Sequence, residues 1–453
     1  MKIAVFGAGA YGCYTIDALI KKFPEAQITL FDVGNSHIKS EKEIGYLTNM
    51  LSTYYSGLEK GRFFGLGGAT SRWGGQLLTF TKNDFKNPTP FLSDIVKLNV
   101  KYQEIIFKKF GIHSEFKETK ITNNLFIKKG VWLSYFNRNL FKYFKINKRK
   151  NVVIKSNSRV TKLILNNNKA VTRVIYKQGN IEKEDSFDFY FLTTGAFESN
   201  RILLNSGLTD MDELPFSDHL SQKVFKIKDS TIIQGEDFAF KVNGSSLITK
   251  RIIGEIDGIS FFSNPIFNSE FSFFQDLKKV LFKRKLSFKI IKNIILELPS
   301  CLQFIYCMLV KKKIYVHKNE WYLYIDIENP INKSFISLSK NQDKFEEKGL
   351  DVSFFIDENA VDIFEKAKEM IKDYLIKNEI NFEECVSTIQ VEKSEDTYHP
   401  FGIMSSFNSM DEFYNQYENF CFFNTGILPR AGGINTTASV FPLIEEFINN
   451  YME

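Results

Sequence analysis

The chain has 453 residues, of which 43% are hydrophobic, and its formal net charge at neutral pH is +6. A chain of this length and apolar content buries a large core and divides into two domains, or into one domain with a large insertion. The modest charge argues against a dedicated nucleic-acid binder and suits an anionic cofactor or substrate. Its five cysteines form no CxxC pair and its five histidines are scattered. We therefore predict reduced structural thiols and no bound metal.

A glycine motif follows the first apolar run of the chain. Residues 3–6 (IAVF) lead into 7–12 (GAGAYG), and a second apolar run, 28–31, ends at Asp32. Glycines allow the strand to turn sharply into a helix whose N-terminus faces a pyrophosphate, and a carboxylate after the second strand accepts hydrogen bonds from a ribose. The order of strand, glycines, helix, strand and acid predicts a dinucleotide-binding βαβ unit. By itself it leaves NAD and FAD equally open.

A second glycine-rich stretch covers residues 61–75. Glycine at this density is typical of backbone that approaches a ligand closely or adopts positive φ. A flexible linker is the alternative, but the interleaved Phe63, Leu66 and Trp73 are unsuited to a solvated linker. We therefore expect this stretch at the same ligand.

Short strands are predicted at 152–155, 160–165 and 171–176, joined by polar turns. A further apolar strand, 189–192, runs into a Thr-Thr-Gly turn and an amphipathic helix. Strand, glycine turn and helix thus recur, and the region 1–207 is predicted to be one nucleotide-binding domain with a small β excursion.

The character of the chain changes after residue 208. Alternation such as that of residues 321–327 (WYLYIDI) predicts a largely antiparallel sheet, followed by a helix near 359–378. The last 60 residues return to glycine and small polar residues and close with a helix. We predict a second domain at 208–390 and a return to the first domain at 391–453.

A basic amphipathic stretch covers residues 278–292 and is followed by the apolar run 302–310 and by three lysines at 311–313. One interpretation is a solvated helix packed by its apolar side. The alternative is peripheral contact with an anionic membrane, or recruitment of a lipid-linked or phosphorylated substrate. No uninterrupted apolar run is long enough to span a bilayer. Because the first strand begins at Lys2, with no room for a signal sequence ahead of it, a cytoplasmic location is expected, with a peripheral position at the membrane as the variant.

Several further motifs stand at defined places in the chain. They are Thr194–Gly207 (TGAFESNRILLNSG), Asp218–Leu220 (DHL), Ile327–Ser339, His399–Gly402 (HPFG) and Asn435. With the two glycine-rich stretches they resemble the glucose-methanol-choline (GMC) family of FAD-dependent oxidoreductases, and more closely its pyranose-oxidase and cholesterol-oxidase-like branches. The most specific match is the first, which is similar to the family's AGA-x-x-S-P-R-L-L-L-x-S-G segment.

The resemblance implies a fold class and a reaction. The fold class is an α/β, Rossmann-like FAD-binding domain with a parallel sheet, joined to an α+β substrate domain built on an antiparallel sheet. In the family a histidine takes the proton of a substrate alcohol while hydride leaves carbon for flavin N5, and a His or Asn partner orients the oxygen. His399 is therefore the implied general base and Asn435 the implied partner. An imidazole exchanges protons near neutral pH, and an amide can donate to an oxygen that gains negative charge.

The resemblance also implies a set of residues at the FAD. They are Gly7, Gly9, Ala10, Tyr11, Gly12, Asp32, Arg62, Gly67, Gly68, Ser71, Trp73, Gly74, Gly75, Val160, Thr194, Gly195, Asn424, Thr425, Asn435, Thr436 and Thr437. The chain departs from the family at three positions: Thr436 replaces a proline, Ser439 replaces a threonine, and Asn424 stands where an aspartate is usual. Pyranose oxidases carry a flavin-linked histidine near the second glycine motif, whereas this chain has Arg72, so non-covalent FAD is expected.

The implied activity is FAD-dependent oxidation of an alcohol. The expected substrate is a small molecule with a sugar hydroxyl, free or nucleotide- or lipid-linked, while a sterol or another amphipathic alcohol stays open. Two other functions stay open: a mutase-like flavoenzyme without net oxidation, and a non-catalytic, membrane-associated flavin protein. The electron acceptor, oxygen or another compound, is left undetermined. Residues 230–315 match no motif of the family and are expected to carry specificity.

Overall fold

The computed structural model describes residues 1–52, 55–113, 116–228, 238, 240–267, 276, 279–280, 287–311, 315 and 321–452. Parts of the predicted basic stretch, namely 278, 281–286 and 312–313, lie outside the described residues.

The strands among the described residues are β1 (Lys2–Phe6), β2 (Gln27–Phe31), β3 (Lys39–Ser40), β4 (Thr48–Met50), β5 (Phe63–Phe64), β6 (Gln76–Leu77), β7 (Thr119–Lys120), β8 (Leu125–Trp132), β9 (Val152–Lys155), β10 (Ser158–Leu165), β11 (Val171–Gln178), β12 (Ile181–Asp185), β13 (Phe189–Leu192), β14 (Glu213–Pro215), β15 (His219–Ile227), β16 (Lys241–Asn243), β17 (Ser246–Ile256), β18 (Ile259–Phe267), β19 (Trp321–Glu328), β20 (Phe335–Gln342), β21 (Lys348–Ser353), β22 (Phe382–Glu384), β23 (Glu395–Asp396) and β24 (Phe420–Phe422).

The α-helices in the same part of the chain are α1 (Ala10–Lys22), α2 (Glu41–Ile44), α3 (Gly57–Lys60), α4 (Pro90–Lys109), α5 (Leu140–Tyr143), α6 (Ala196–Asn205), α7 (Phe288–Leu296), α8 (Leu298–Leu309), α9 (Ala360–Lys377), α10 (Met410–Tyr414) and α11 (Phe441–Asn450).

A parallel sheet holds the N-terminal motif. Its strand order is β24-β13-β1-β2-β9, and every neighbouring pair is parallel. The chain order reverses direction at β1, because β2 and β9 lie on one side of it and β13 and β24 on the other. In open parallel sheets the crevice at such a switch point, beyond the carboxyl ends of the strands, is where ligands bind.

Helices α1, α4 and α11 form an apolar layer with this sheet. Tyr14 of α1 stacks on Phe441 of α11 with ring centroids 4.2 Å apart, and its hydroxyl donates to Glu445 Oε1 at 2.7 Å. Apolar side chains recur at helical spacing along these helices and so lie on one face of each helix. That face is buried against the core. The predicted α/β domain with a parallel sheet is confirmed.

A large antiparallel sheet forms the second layer. Its main strand order is β22-β15-β19-β18-β17-β8-β6, with β7, β16 and β23 paired to its members. Helix α9 packs on it through buried residues such as Phe364 and Ile371, which belong to the same apolar core as Trp321 of β19. The predicted antiparallel second sheet is confirmed.

The two layers exchange chain segments. Strands β6 and β8 precede residue 207 in the chain but lie in the antiparallel sheet, and β4 pairs in parallel with β21 of a smaller sheet, β14-β20-β21-β4. The β excursion after β9 is the separate antiparallel sheet β10-β11-β12. The domain boundaries 1–207, 208–390 and 391–453 stay predictions.

Candidate active site

A cavity of about 510 Å³ lies at the carboxyl ends of the parallel strands. It is lined by the turns that follow β1, β2 and β13, by the second glycine-rich stretch, and by residues from 397–400 and 425–437. Segments from both ends of the chain therefore meet in one place, as the strand order of the parallel sheet requires.

The turn after β1 brings backbone rather than side chains to the cavity. Gly7 has a φ of +95°, and a Cβ on Gly12 would overlap the carbonyl oxygen of Gly7. A Cβ on Gly9 would meet no atom within 4 Å, because it would project into the open cavity. No side chain caps the N-terminus of α1. The turn thus offers uncapped N–H groups and a positive helix end to an anion.

Asp32 joins the end of β2 to this turn. Its Oδ2 accepts the N–H of Ala8 at 2.9 Å and its Oδ1 accepts the N–H of Gly34 at 2.8 Å. Burial raises the pKa of Asp32, while the backbone N–H groups of Ala8, Gly34 and Gly65 oppose that shift. Because each carboxylate oxygen has two lone pairs, Asp32 can still accept from a ligand hydroxyl in the cavity that it lines.

The second glycine-rich stretch lies against the first. Residues Gly68–Ser71 form a short 3₁₀ helix, and a Cβ on Gly68 would lie 3.0 Å from the Cα of Gly9. The indole N–H of Trp73 donates to the carbonyl of Arg138 at 2.9 Å, while Gly74 faces open space. The stretch therefore forms a packed wall of the cavity and is not a flexible linker.

The Thr-Thr-Gly turn after β13 completes the glycine surface. The hydroxyl of Thr193 donates to the carbonyl of Phe6 at 2.7 Å, which ties the ends of β13 and β1 together. Gly195 has a φ of +86° and directly precedes α6, and no atom lies within 4 Å of its Cβ position. We call Gly7, Gly9, Gly68, Gly74 and Gly195 the glycine wall.

Two polar side chains from the C-terminal part of the chain line the same cavity. They are His399 and Asn435, here called the polar pair. Both are half-buried. Each is held by a residue in the antiparallel sheet or directly beside one of its strands.

His399 is positioned through Asp218. The carboxylate of Asp218 accepts the backbone N–H of His399 at 2.9 Å, the hydroxyl of Tyr55 at 2.5 Å and the hydroxyl of Thr397 at 2.9 Å. A β-bridge between Ser217 and Phe401 runs beside these bonds. Burial and the nearby Asp396 raise the pKa of Asp218 to about 7.

The hydrogen bonds favour one tautomer of His399. The hydroxyl of Thr397 has a single proton and donates it to Asp218, so at 3.4 Å from His399 Nδ1 it acts as an acceptor. This leaves Nε2 as the ring nitrogen with a free lone pair. Burial is the main cause that lowers the pKa of His399 to about 3, and repulsion from the Arg251 guanidinium, and from His219 whenever that ring is also protonated, adds to it. The ring of His399 is therefore neutral at physiological pH.

Arg251 fixes the orientation of the Asn435 amide. Its Nη2 donates to Asn435 Oδ1 at 2.8 Å, so the amide NH₂ of Asn435 remains as the donor available to the cavity. Arg251 comes from the middle of β17, and its guanidinium lies over the ring of Phe262 at 4.3 Å. It is only 2% exposed, and its Nη1 has no hydrogen-bond partner among the described residues.

The loop that carries Asn435 is also anchored a few residues before it, at Arg430 and Gly432. Glu328, at the end of β19, accepts the backbone N–H of Gly432 at 2.6 Å and the guanidinium of Arg430 at 2.5 Å. The ring of His219 is 2.7 Å from the carbonyl of Gly432 through Nε2, which must therefore carry the donating proton. Burial lowers the pKa of His219, which keeps this ring neutral.

Most of the residues expected at the FAD line the cavity. Besides the polar residue Asn435 they are Gly7, Gly9, Ala10, Tyr11, Asp32, Arg62, Gly68, Trp73, Gly74, Gly75, Val160, Thr194, Gly195, Thr425 and Thr437. The remaining five, Gly12, Gly67, Ser71, Asn424 and Thr436, lie outside its lining.

The five have other contacts or surroundings. Gly12 packs on Gly7, and Gly67 has a φ of +109° beside Asn139. The hydroxyl of Ser71 accepts from the same Asn139 at 2.9 Å. Two of the three departures from the family are among these five, and both are buried: Asn424 accepts the N–H of Gly426 at 2.8 Å, and Thr436 has no exposed surface.

Sequence reasoning did not single out several residues of the site. Trp132 and Tyr398 line the cavity, and Arg251, Asp218 and Glu328 hold the polar pair in place. Asp218 and Glu328 lie inside two of the family-like motifs, Asp218–Leu220 and Ile327–Ser339, so the sequence did contain a signal for them. Arg251 lies in the region without family motifs, and no local pattern distinguishes it from other arginines.

The cavity fits FAD on its own chemistry. Side chains at Gly9, Gly74 or Gly195 would fill it, since their Cβ positions meet nothing within 4 Å. Two uncapped helix ends, those of α1 and α6, open onto the glycine wall and suit a pyrophosphate. Among the described lining residues His399 is the only histidine and no cysteine occurs, which leaves few nucleophiles for a covalent bond to a flavin.

The structure is similar to those of known oxidases. Pyridoxine 4-oxidase from Mesorbium loti matches with a TM-score of 0.57 and 13% identity over 99% of each chain. A new fungal aryl-alcohol oxidase matches with a TM-score of 0.53 and 10% identity, covering 100% of this chain and 99% of that one. Formate oxidase from Aspergillus oryzae RIB40, studied for the effect of an R554K mutation on FAD modification, matches with a TM-score of 0.51 and 10% identity, covering 99% of this chain and 97% of that one.

No family model matches the sequence, and no curated protein matches it. The similarity to solved structures extends over the whole chain, including both sheets. The resemblance predicted from the sequence motifs is confirmed at the level of fold: the chain has the fold of the glucose-methanol-choline oxidoreductases.

Proposed function

We propose that the protein binds FAD non-covalently and oxidises the hydroxyl group of a small-molecule alcohol to a carbonyl. The observation that carries the proposal is the polar pair beside the glycine wall. One cavity contains a neutral imidazole and an amide NH₂ of fixed direction, next to a surface shaped for a dinucleotide. A proton acceptor and a hydrogen-bond donor are the two groups that alcohol oxidation requires from a protein.

The glycine wall would hold the cofactor. The turn at Gly7–Gly9 and the N-terminus of α1 suit the pyrophosphate, and Asp32 suits the adenosine ribose. When bound, FAD supplies a two-electron acceptor that takes a hydride from the substrate carbon. The polar pair, which comes from the C-terminal part of the chain, would lie beside the reacting hydroxyl of the substrate.

His399 accepts the hydroxyl proton at Nε2. Its neutral state at physiological pH follows from burial and from the positive field of Arg251, so no prior deprotonation is needed. The Asn435 amide donates to the substrate oxygen as negative charge develops there, which lowers the barrier to loss of the proton. With FAD bound, the alcohol would lose a proton to His399 and a hydride to the cofactor, and a carbonyl compound would remain.

The substrate that we propose first is a sugar hydroxyl, free or nucleotide- or lipid-linked. Support comes from the resemblance to the pyranose-oxidase branch and from the aromatic rings of Trp132 and Tyr398, which can stack on a sugar face. A second candidate, an arylmethanol, is favoured by the neighbours, since one is an aryl-alcohol oxidase and another a pyridoxine 4-oxidase. The same rings would stack on an aromatic substrate.

Oxygen is the electron acceptor that we propose. All three neighbours are described as oxidases. Production of hydrogen peroxide during aerobic turnover would support this choice, and turnover only with an added dye would replace it with a dehydrogenase reaction.

Absorbance spectroscopy tests the proposal. Purified protein should show the flavin bands, and anaerobic mixing with a panel of sugars, nucleotide sugars, sterols and arylmethanols should bleach them with the true substrate. His399→Ala should keep the bands and slow bleaching by about 10²- to 10⁴-fold, the usual contribution of a general base. Absence of flavin removes the cofactor proposal, and unchanged bleaching in His399→Ala removes His399 from the reaction.

A further inference from the structure

Helices α7 and α8 turn apolar side chains towards solvent. Of the 25 exposed large apolar side chains among the described residues, ten lie between residues 288 and 310. They are Phe288, Ile291, Ile295, Leu296, Leu298, Leu302, Ile305, Tyr306, Leu309 and Val310. Phe288 is 84% exposed and Leu309 is 73% exposed. Soluble monomers rarely present so dense an apolar surface unless it contacts something.

The exposed residues form ordered rows. Leu298, Leu302, Ile305 and Leu309 follow the spacing i, i+4, i+7 and i+11, which places them on one face of α8. The less exposed residues of α8, such as Phe304, belong to the opposite side, where Tyr315 packs. Because α8 has an inner contact of its own, its outer row is a second apolar face and not a misplaced core.

Positive charge is concentrated in this part of the amino-acid sequence. Ten of the 59 Lys and Arg residues but only one of the 53 Asp and Glu residues lie between 278 and 313. The rest of the chain holds 49 basic and 52 acidic residues, so its net charge is −3. The net positive charge of the protein therefore comes from this segment. Among the described residues, Lys289, Lys292 and Lys311 stand exposed beside the apolar rows.

The geometry suits a surface rather than a span. Within the described parts of the chain, no single helix is long and apolar enough to cross a membrane, and α7 with the first part of α8 reaches that composition only across a bend of 72°. Glu297 and Pro299 stand at the bend. A bent pair with an apolar outer face and flanking lysines is typical of helices that lie in the interface of an anionic bilayer.

We propose that the helix pair 288–311 docks the protein on an anionic lipid bilayer. The apolar rows enter the boundary between headgroups and acyl chains, and the lysines contact anionic headgroups. No residue of the pair lines the cavity, so the proposal is independent of the proposed function.

Vesicle flotation with the full chain tests the docking. The vesicles are phosphatidylcholine alone, and an equimolar mixture of phosphatidylcholine and phosphatidylglycerol. The apolar variant is the triple change Leu302→Ser, Ile305→Ser and Leu309→Ser. Its matched control is Val153→Ser, Ile181→Ser and Ile376→Ser, three apolar side chains that are similarly exposed elsewhere. Thermal melting of each variant checks that it is folded.

The protein should float with the mixed vesicles, and the apolar variant should bind them at least about tenfold more weakly, while the control is unchanged. Lys289→Glu with Lys292→Glu should weaken binding to the mixed vesicles by more than about tenfold, since each basic residue near an anionic surface contributes about fivefold. Lys348→Glu with Lys377→Glu is its control and should bind normally.

Three results would overturn the proposal. One is the absence of flotation with the mixed vesicles. Another is an equal loss of binding in the control variants. The third is evidence that a second copy of the chain covers the apolar face. In that case light scattering would show a dimer for the wild type and a monomer for the apolar variant, and neither protein would float with the vesicles.

Discussion

The glycine wall and the polar pair face the same cavity but are built in opposite ways. At the glycine wall the protein presents backbone: a Cβ would enter ligand space at Gly9, Gly74 and Gly195, and would press on another turn at Gly7 and Gly68. At the polar pair it presents an imidazole and an amide, each held by a hydrogen bond from the antiparallel sheet or its edges. The first surface depends on the absence of atoms and the second on their orientation.

This difference separates binding from reaction. Changes at the glycine wall should affect cofactor affinity and leave the chemistry of bound cofactor unaltered. Changes at the polar pair and its supports should leave the flavin bound and alter the rate at which it is reduced. Five predictions test this division, and each could break it.

The largest effect is expected at Gly9. Its φ of −80° is available to any residue and its Cβ direction is open, so Gly9→Val should fold normally while its side chain occupies the pyrophosphate site. We expect the FAD affinity of Gly9→Val to fall by about 100-fold or more, equivalent to about 3 kcal/mol. The affinity of Gly9→Ala should lie between those of the wild type and Gly9→Val. Flavin fluorescence titration of apoprotein measures it. Full affinity in Gly9→Val would remove this turn from the cofactor site.

Asn435→Ala should come next. Loss of one preorganised donor at a developing negative charge lowers rates by about 10²-fold. The affinity for FAD should change little, and stopped-flow anaerobic reduction with the identified substrate measures the rate. An equal loss of flavin in Asn435→Ala would mean that the amide serves the cofactor, and the division between the two surfaces would fail.

Arg251→Met should slow reduction by about tenfold, because the Asn435 amide loses the bond that fixes its direction. The effect should largely vanish in the Asn435→Ala background, since both changes remove the same donor. Independent, multiplicative effects in the double variant would show that Arg251 acts by another route. Arg251→Lys should recover part of the rate because it restores a donor and a charge.

The pH dependence should be unusual for a histidine base. Only neutral His399 accepts a proton, and because its pKa is lowered to about 3, the rate of reduction should stay flat through the ordinary histidine range near 6.5 and fall only at lower pH. Removal of the nearby charge in Arg251→Met should raise the pKa and move this acid limb upward. A limb near 6.5 in the wild type would contradict the buried, positively charged surroundings of the ring.

The smallest effect is expected for Thr397→Val. Its hydroxyl links Asp218 to His399, and one neutral hydrogen bond is worth about 1 kcal/mol, or about fivefold in rate. Reduction kinetics measure it, with Ser206→Ala, which removes a half-buried hydroxyl directly after α6, as the control that should leave the rate unchanged. No change in Thr397→Val would show that the backbone bond to Asp218 alone positions the histidine.

Local sequence determined the glycine wall. Gly7, Gly9 and Asp32 are recognisable because a strand that must turn under a pyrophosphate restricts the residues next to it, and this restriction is visible within about 30 residues. The alternation of 321–327 likewise determined a strand of the antiparallel sheet, since period-two patterning needs no distant partner to be read. His399 and Asn435 were found through a resemblance, because a single histidine or asparagine carries no pattern.

Tertiary structure alone decided how the polar pair is held and where the apolar helix pair points. Arg251 lies 184 positions before Asn435 in the chain, and only the pairing of β17 within the antiparallel sheet brings the two together. The sequence of 288–310 fits equally a helix pair packed against the core and one facing solvent, because its helical spacing is the same in both. Burial distinguishes them, and burial depends on which surfaces the rest of the fold leaves uncovered.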